Sequence, residues 1–429
     1  MIGYRKRIAD ALLAEKLSYM GAVLVQGPKW CGKTTTSRQA VRSEVSLEDS
    51  VKGKSNRILA QTRPDKLLEG AIPRLIDEWQ EGPLLWYAVR SAVDRGGRGM
   101  YVLTGSAVPP EIDDDAERVP RHTGTGRIAR LTMRPMSLWE SGESTGEVSM
   151  EKLFAGEDVT GAKSGLELED VCELICRGGW PGALGLSGRV ARGPAKEYYL
   201  AIVESDISRV DRTLRKPGRV DRLMRSLARL QGTQSSASVI CADMKANDSD
   251  TLTEDTVYSY LAALRRIFVT EDMRAWCPNL RCKTPLRTTD TRYYTDPSIA
   301  AAAMGLGPGD LMNDLPTLGL FFKTLAVRDL RTCAEALGGS VFHYLDKSGL
   351  ECDAIVRLEN GSYGLVEVKI GSDALIEKGV KTLDSLSAKI DTTRMPSPSF
   401  RMVLVANGDI AYRRKEDGII VCPIGCLRP

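Results

Sequence analysis

Histidine is nearly missing from this chain of 429 residues, which holds only His122 and His343. Catalysis by a histidine-ligated metal is therefore a poor starting hypothesis, because such sites draw on several imidazoles. Cysteine occurs ten times but without the spacing of structural zinc. The close pairs Cys172/Cys176, Cys277/Cys282 and Cys422/Cys426 lack the short gap repeated at a distance, so free buried thiols are expected, as in a reducing compartment. Long apolar runs are lacking too. The opening Met1-Ile2-Gly3-Tyr4-Arg5-Lys6-Arg7 has no apolar core behind its charges. These two features argue against a membrane span or a secretory signal and point to a cytoplasmic location. A dominant charge of one sign is also absent: 59 basic and 56 acidic residues leave a net +3, so the chain as a whole is no polycation.

What is present is a phosphate-binding loop. Gly27-Pro28-Lys29-Trp30-Cys31-Gly32-Lys33-Thr34 completes the pattern G-x-x-x-x-G-K-[ST]. It follows Ala22-Val23-Leu24-Val25, an apolar run that reads as a buried strand, and precedes a helix predicted from Thr34 to Val41. Backbone N–H groups of such a turn, with Thr35 in the first helical turn, wrap phosphates while the helix N-terminus supplies partial positive charge. Lys33 is expected to neutralise the β- and γ-phosphates, and Thr34 to bind Mg²⁺ through its hydroxyl.

A second strand signal, Ile72-Pro73-Arg74-Leu75-Ile76, ends in Asp77-Glu78. Asp77 is expected to hold the Mg²⁺, and Glu78 to orient or deprotonate the attacking water. A third strand, Met100-Tyr101-Val102-Leu103, ends in Thr104-Gly105-Ser106. Thr104 or Ser106 fits the position that senses the γ-phosphate, and the sequence does not choose between them.

These segments taken in order resemble an AAA-type P-loop ATPase family of bacteria and archaea whose C-terminal half is a domain of unknown function. Gly124-Thr125-Gly126-Arg127-Ile128, Met133-Arg134-Pro135-Met136-Ser137-Leu138, Arg177-Gly178-Gly179-Trp180-Pro181, Asp206-Ile207-Ser208, Tyr260-Leu261 and Gly364-Leu365-Val366-Glu367-Val368-Lys369 extend the likeness over nearly the whole chain. The resemblance implies ATP, rather than GTP, as the nucleotide. It also implies an arginine that completes the γ-phosphate site, often from a neighbouring subunit of a homo-oligomer. Arg127 is the candidate, with Arg130 and Arg134 as rivals.

Length and pattern predict an α/β chain of several domains. Residues 1–145 read as the P-loop core, 146–230 as a helical lid, 231–310 as a winged-helix-like domain and 311–429 as a restriction-endonuclease-like domain. Residues 140–165, rich in Gly, Ser and Glu, read as an exposed connection or mobile insertion. Arg209, Arg212, Arg215, Lys216, Arg219, Arg222, Arg225 and Arg229 form a basic run, broken at Pro217-Gly218, that can face nucleic-acid phosphates or a partner. In the winged-helix reading, Thr253 caps a helix, while 267–269 and 292–294 supply the wing strands, flanked by Arg265, Arg266, Arg281, Lys283 and Arg287. DNA is thus a candidate partner.

The last hundred residues read as strands over 341–345, 351–356 and 363–369, with Asn360-Gly361 as a hairpin turn. A helix over 372–386 and a strand over 402–405 follow. The arrangement resembles the restriction-endonuclease-like fold, with Asp353, Glu367 and Lys369 as its Asp…Glu-x-Lys motif. Glu367 and Lys369 share a strand face, and two carboxylates can hold Mg²⁺. One departure weighs against cleavage. Relatives tend to carry Phe-Glu on the preceding helix where this chain has Phe322-Lys323, and a lysine there opposes cation binding. Three readings therefore stand: an ATP-driven switch or motor, an ATP-gated DNA nuclease, and a nucleotide-dependent DNA-binding scaffold.

Overall fold

The computed structural model describes residues 3–107, 124–209, 213–245, 253–278 and 289–429. His122, Cys282, Arg212, Arg281, Lys283 and Arg287 lie outside the described residues. The chain divides into two compact units. The first comprises Met1–Pro135, Glu204–Arg215 and Ala262–Phe268, and the second comprises Met136–Val203, Lys216–Leu261 and Val269–Pro429.

The first unit is built on a five-stranded parallel sheet. Its strands are β1 (Ala22–Gln26), β2 (Ser43–Ser46), β3 (Arg74–Asp77), β4 (Tyr101–Gly105) and β5 (Ile128–Thr132), in the order β2-β3-β4-β1-β5. β1, the four-residue β3 and β4 are almost wholly buried. That burial accounts for their continuous apolar runs, because a parallel sheet is covered on both faces. Leu24, Ile76 and Leu103 pack with Leu47, Leu85 and Val89 from the flanking segments into one core. β1 lies between β4 and β5, where the winding of the sheet reverses, and ligands of open α/β sheets bind beyond the carboxyl ends of the strands at such a point.

The second unit carries a six-stranded mixed sheet. β6 (Val148–Ser149) stands apart from it, and β7 (Gly339–Leu345), β8 (Glu351–Leu358), β9 (Tyr363–Lys369), β10 (Phe400–Val405), β11 (Tyr412–Arg413) and β12 (Ile420–Pro423) form the order β11-β12-β10-β9-β8-β7. β7, β8 and β9 are antiparallel neighbours, whereas β9, β10 and β12 run parallel. Gly361 turns the β8–β9 hairpin at φ 90°, a conformation that suits glycine. Helix Asp373–Lys389 and the strands bury Ile355, Leu365, Val380, Leu383 and Val403 together.

Two sequence expectations are corrected here. Residues 140–165 are not simply an exposed connection: β6 pairs in parallel with the last strand, β13 (Leu427–Arg428), and Val148, Met150 and Leu153 are buried. The partner strand lies far along the chain, so local composition cannot reveal it. The wing strands expected at 267–269 and 292–294 are isolated bridges, Thr270 with Tyr294 and Met273 with Thr291. Phe268 sits at φ 58°, outside extended geometry, and interrupts any ladder at that point. The basic run is broken where the sequence places the break, and several of its charges are already paired. Pro217 opens helix Pro217–Leu230, Arg215 is buried and donates to the Ile207 carbonyl at 2.9 Å, and Arg225 and Arg229 pair with Asp221 and Asp243.

The keystone of the second unit is Arg328, which is 2% exposed on helix Leu315–Ala336. Its guanidinium reaches Asp296 and Asp329 at 2.8 Å each. Asp296 accepts from the Gly179 N–H at 2.9 Å and caps helix Pro297–Met304, while Asp329 accepts from the Leu138 N–H at 2.8 Å. Gly179 cannot carry a side chain, because a Cβ there would come within 2.1 Å of the Met136 carbonyl. Arg177-Gly178-Gly179-Trp180-Pro181 is therefore a packing element, with Trp180 Nε1 donating to Ser298.

Among the described residues no helix is long and apolar enough to cross a membrane.

Candidate functional site

Gln26 ends β1, and the loop Gly27–Gly32 leads into helix Lys33–Ala40. Gly27 (φ 154°) and Gly32 (φ 101°) adopt conformations that other residues seldom reach, and a Cβ on Gly27 would lie 2.1 Å from the Met133 carbonyl. Trp30 also has a positive φ of 63°, and backbone strain of this kind in a non-glycine residue gathers at functional sites. The Lys33 ammonium is buried inside the loop, donating to the carbonyls of Gly27 at 3.0 Å and Pro28 at 2.7 Å. The loop is pinned from outside by Arg7, whose guanidinium donates to the Cys31 and Arg134 carbonyls at 2.9 Å each. Sequence reasoning missed Arg7, because nothing in the local pattern marks an arginine so far upstream as a clamp on this loop.

The acid pair stands where parallel β3 ends, on the same sheet edge as the loop. Asp77 Oδ1 accepts from Thr34 Oγ1 at 2.7 Å and from Thr104 Oγ1 at 2.5 Å, and Ser46 Oγ is 3.4 Å from Oδ2. Two strand ends, at Ser46 and Thr104, and the helix after the loop, at Thr34, thus bring hydroxyls to one carboxylate. This set of hard oxygen donors fits Mg²⁺, which prefers carboxylate and hydroxyl oxygen to nitrogen or sulfur. Glu78 occupies the next position with φ 55°. Its carboxylate accepts from the Gln80 side-chain amide and lies 3.4 Å from Ser106 Oγ. Burial pushes the Glu78 carboxyl above its usual range, against the pull of the Gln80 hydrogen bond and the Lys33 charge. Of the two sensor candidates, Thr104 meets Asp77 and Ser106 meets Glu78. Thr35, on the helix, is exposed, as is Trp30.

Arg127 is placed differently. Its carbonyl accepts from the Ala22 N–H, so it marks the edge where β1 begins, about 16 Å of strand from the loop at five residues of about 3.3 Å each. Its side chain pairs with Asp94 at 2.7 Å. Within its own chain, Arg127 stands at the wrong edge to touch a phosphate held by the loop. Arg130 is exposed in mid-strand, whereas Arg134 follows β5 on the loop side and is 9% exposed.

The second cluster lies in the six-stranded sheet. Asp353 on β8 and Glu367 on β9 are 5% and 3% exposed. Lys369 Nζ reaches Asp353 Oδ2 at 3.1 Å and also bonds Glu367, while Lys323 Nζ reaches Asp353 Oδ1 at 2.5 Å. The Val368 N–H donates to Asp353 and the Asp353 N–H to Glu367, at 2.9 and 3.2 Å. Burial works to raise the Asp353 carboxyl, but the two ammonium groups outweigh it and hold the group well below the usual range. Burial and the Asp353 charge push Glu367 up. The three expected residues are brought together, and Lys323 joins them. Among the described residues, no group of three or more His, Cys, Asp or Glu side chains is placed to hold a metal ion.

Comparison with known proteins agrees with the geometry of the first unit. Residues 20–141 match the family described as AAA domain, and residues 168–310 match a family described as a domain of unknown function, DUF8612. Uncharacterized proteins of Mycobacterium bovis and Mycobacterium tuberculosis are each 22% identical over 382 residues, spanning 88% of this chain and 76% of theirs. Among solved structures, a Walker-type ATPase of Pyrococcus abyssi is 14% identical with a TM-score of 0.40, covering 69% of this chain and 94% of that one. The Aeropyrum pernix Orc1 protein in complex with DNA is 13% identical with a TM-score of 0.25, covering 71% and 93%. Likeness at these scores is loose. Residues 20–141 thus carry an AAA-type domain built around the phosphate-binding loop.

Proposed function

We propose that this chain is a Mg²⁺-dependent ATPase whose turnover drives a switch or motor acting on a partner. The observation that carries this reading is the convergence of the Thr34 and Thr104 hydroxyls on Asp77 beside the loop, with Glu78 next to them. The loop amides and Lys33 bind the phosphates, which requires the Lys33 ammonium to leave the Gly27 and Pro28 carbonyls for the ligand. Thr34 and Asp77 would hold Mg²⁺, which neutralises charge developing on the transferred phosphoryl group. Glu78, half-buried and held by Gln80, orients the attacking water and accepts its proton at a carboxylate oxygen. Thr104 fixes the Asp77 carboxylate, and Ser106 stands beside Glu78. Arg127, at the far sheet edge, serves only the site of a second copy, which makes a homo-oligomer part of this reading.

Phosphate release from Mg-ATP by the full chain, with Lys33→Ala as control, tests the proposal. Turnover that the control lacks supports it. Nucleotide binding without turnover refutes the motor and leaves a scaffold. Adding duplex DNA to the same assay decides the partner, since DNA-accelerated turnover would assign the arginines of helix Pro217–Leu230 to phosphate contacts whose strength falls with salt. The helical-lid and winged-helix assignments for 146–230 and 231–310 belong to this reading. For 311–429 we propose a retained endonuclease-like scaffold in which Lys323 takes the place of a metal ion, so that no DNA cleavage is expected.

A further inference from the structure

Lys29 is the third residue of the loop, between its two glycines, yet its side chain does not serve the loop. Its ammonium lies 2.7 Å from Asp206 Oδ1. The two partners are unequal: Lys29 is 41% exposed at its side chain and Asp206 only 7%. Among the described residues, no other hydrogen-bond donor reaches the Asp206 carboxylate. Asp206 ends a π-helical turn, Ile202–Asp206, and is followed by the short helical stretch Ile207–Arg209. Such turns are rare and are found frequently at functional sites. Although Glu204–Arg215 is remote in sequence from the P-loop, it belongs to the same compact unit.

We propose that the Lys29–Asp206 ion pair is a nucleotide-responsive latch: a triphosphate seated on the loop draws Lys29 off Asp206 and releases Glu204–Arg209. The inference rests on the reading of this loop as an ATP site. A triphosphate brings several negative charges to the amides flanking Lys29, and its attraction for that ammonium competes with one carboxylate. Asp206 opposes the ligand twice, by engaging a phosphate-binding cation and by placing like charge nearby. Once Lys29 turns to the ligand, the Asp206 carboxylate is left buried without a counter-charge, a condition that costs far more than an exposed pair gains. Moving the segment outward to hydrate that carboxylate relieves the cost. Coupling of this kind is reciprocal: the closed segment weakens nucleotide binding by the factor with which nucleotide loosens the segment.

The test uses the full chain, a fluorescent ATP analogue with Mg²⁺ for affinity, and amide hydrogen exchange read over residues 202–209. In the wild type, nucleotide should speed exchange in that segment. Asp206→Asn should bind the analogue about fivefold or more tightly, the lower end of ordinary couplings, and should show fast exchange before nucleotide is added. Lys29→Met, on the exposed side of the pair, should free the segment in the same way without tightening binding, because it also removes a phosphate-binding cation. Unchanged affinity in Asp206→Asn, or exchange that nucleotide leaves alone or slows, overturns the latch while leaving the ATP site standing. Absence of binding in the wild type overturns both, and Lys33→Ala then behaves no differently from it.

Discussion

Removing the Lys323 ammonium exposes how the Asp353 cluster is balanced. Two buried carboxylates, Asp353 and Glu367, face two ammonium groups, Lys323 and Lys369, within 3.1 Å. Burial alone would lower the Lys323 ammonium, but the Asp353 charge raises it far above the ordinary lysine range, so it stays charged at any working pH. Lys323→Met leaves Asp353 with Lys369 and the Val368 N–H alone. Breaking a buried pair by removing one partner costs about 3–5 kcal/mol, and the surviving partners place this case near 3. Urea unfolding of the full chain at neutral pH, scored by the loss of the second unit's transition, measures it. Lys323→Glu goes further, because three carboxylates around one point then suit a divalent cation. Adding Mn²⁺ at about a hundred times its Kd should return about 2.7 kcal/mol to that variant and nothing to the wild type. A cost below about 1 kcal/mol for Lys323→Met, the range of an exposed pair, or Mn²⁺ stabilisation of the wild type, would refute the view that lysine stands where a metal would.

Three further outcomes follow from named contacts. Glu78→Gln should keep nucleotide affinity and lower phosphate release by about 10²–10⁴, the usual worth of a general base; equal loss of binding would remove Glu78 from that role. Because burial holds the Glu78 proton to higher pH than an ordinary carboxyl, its basic form is lost as pH falls through a value above about 4.3, so a pH–rate profile should show an acid limb there. Arg328→Met strands Asp296 and Asp329 in the core and should cost about 3–5 kcal/mol by urea unfolding. Asp346 accepts from Lys389 Nζ at 2.6 Å, from the Ser348 hydroxyl at 2.6 Å and from the Leu350 N–H at 3.1 Å. Burial works to raise this carboxyl, but those donors outweigh it and depress it. The stability it contributes is therefore present above the unfolded pKa of about 3.9 and fades as pH falls below it. Asp346→Asn should be about 1–3 kcal/mol less stable at pH 7, and the gap should narrow steadily as pH falls below about 3.9, as read by thermal unfolding.

The difference between what the sequence disclosed and what it hid follows the range of the interactions involved. The loop, its strand and its helix lie within Ala22–Ala40, so glycine spacing, an apolar run and a helix start reveal them together. Asp77 and the strand end at Thr104 carry the same local mark, and Asn360-Gly361 announces the β8–β9 hairpin that aligns Asp353 with Glu367. The arginines are another matter. Spacing shows where Arg127, Arg215 and Arg328 fall but not what they meet, since their partners are Asp94, the Ile207 carbonyl, and Asp296 with Asp329. Counting charge along a segment therefore overstates its free positive surface, as the run from Arg209 to Arg229 demonstrates. β6 fails for the same reason in another form: a two-residue strand has no period of its own, and only Leu427 and Arg428 define it. Lys323 lies between these cases. It could be flagged because a likeness supplied an expected Glu at that place, yet its effect is set by a carboxylate thirty residues on, one strand into the next sheet. A lone lysine beside a helix core would be solvated or tolerated. Against a buried Asp353 it becomes a fixed counter-ion, and the chemistry open to the sheet changes with it.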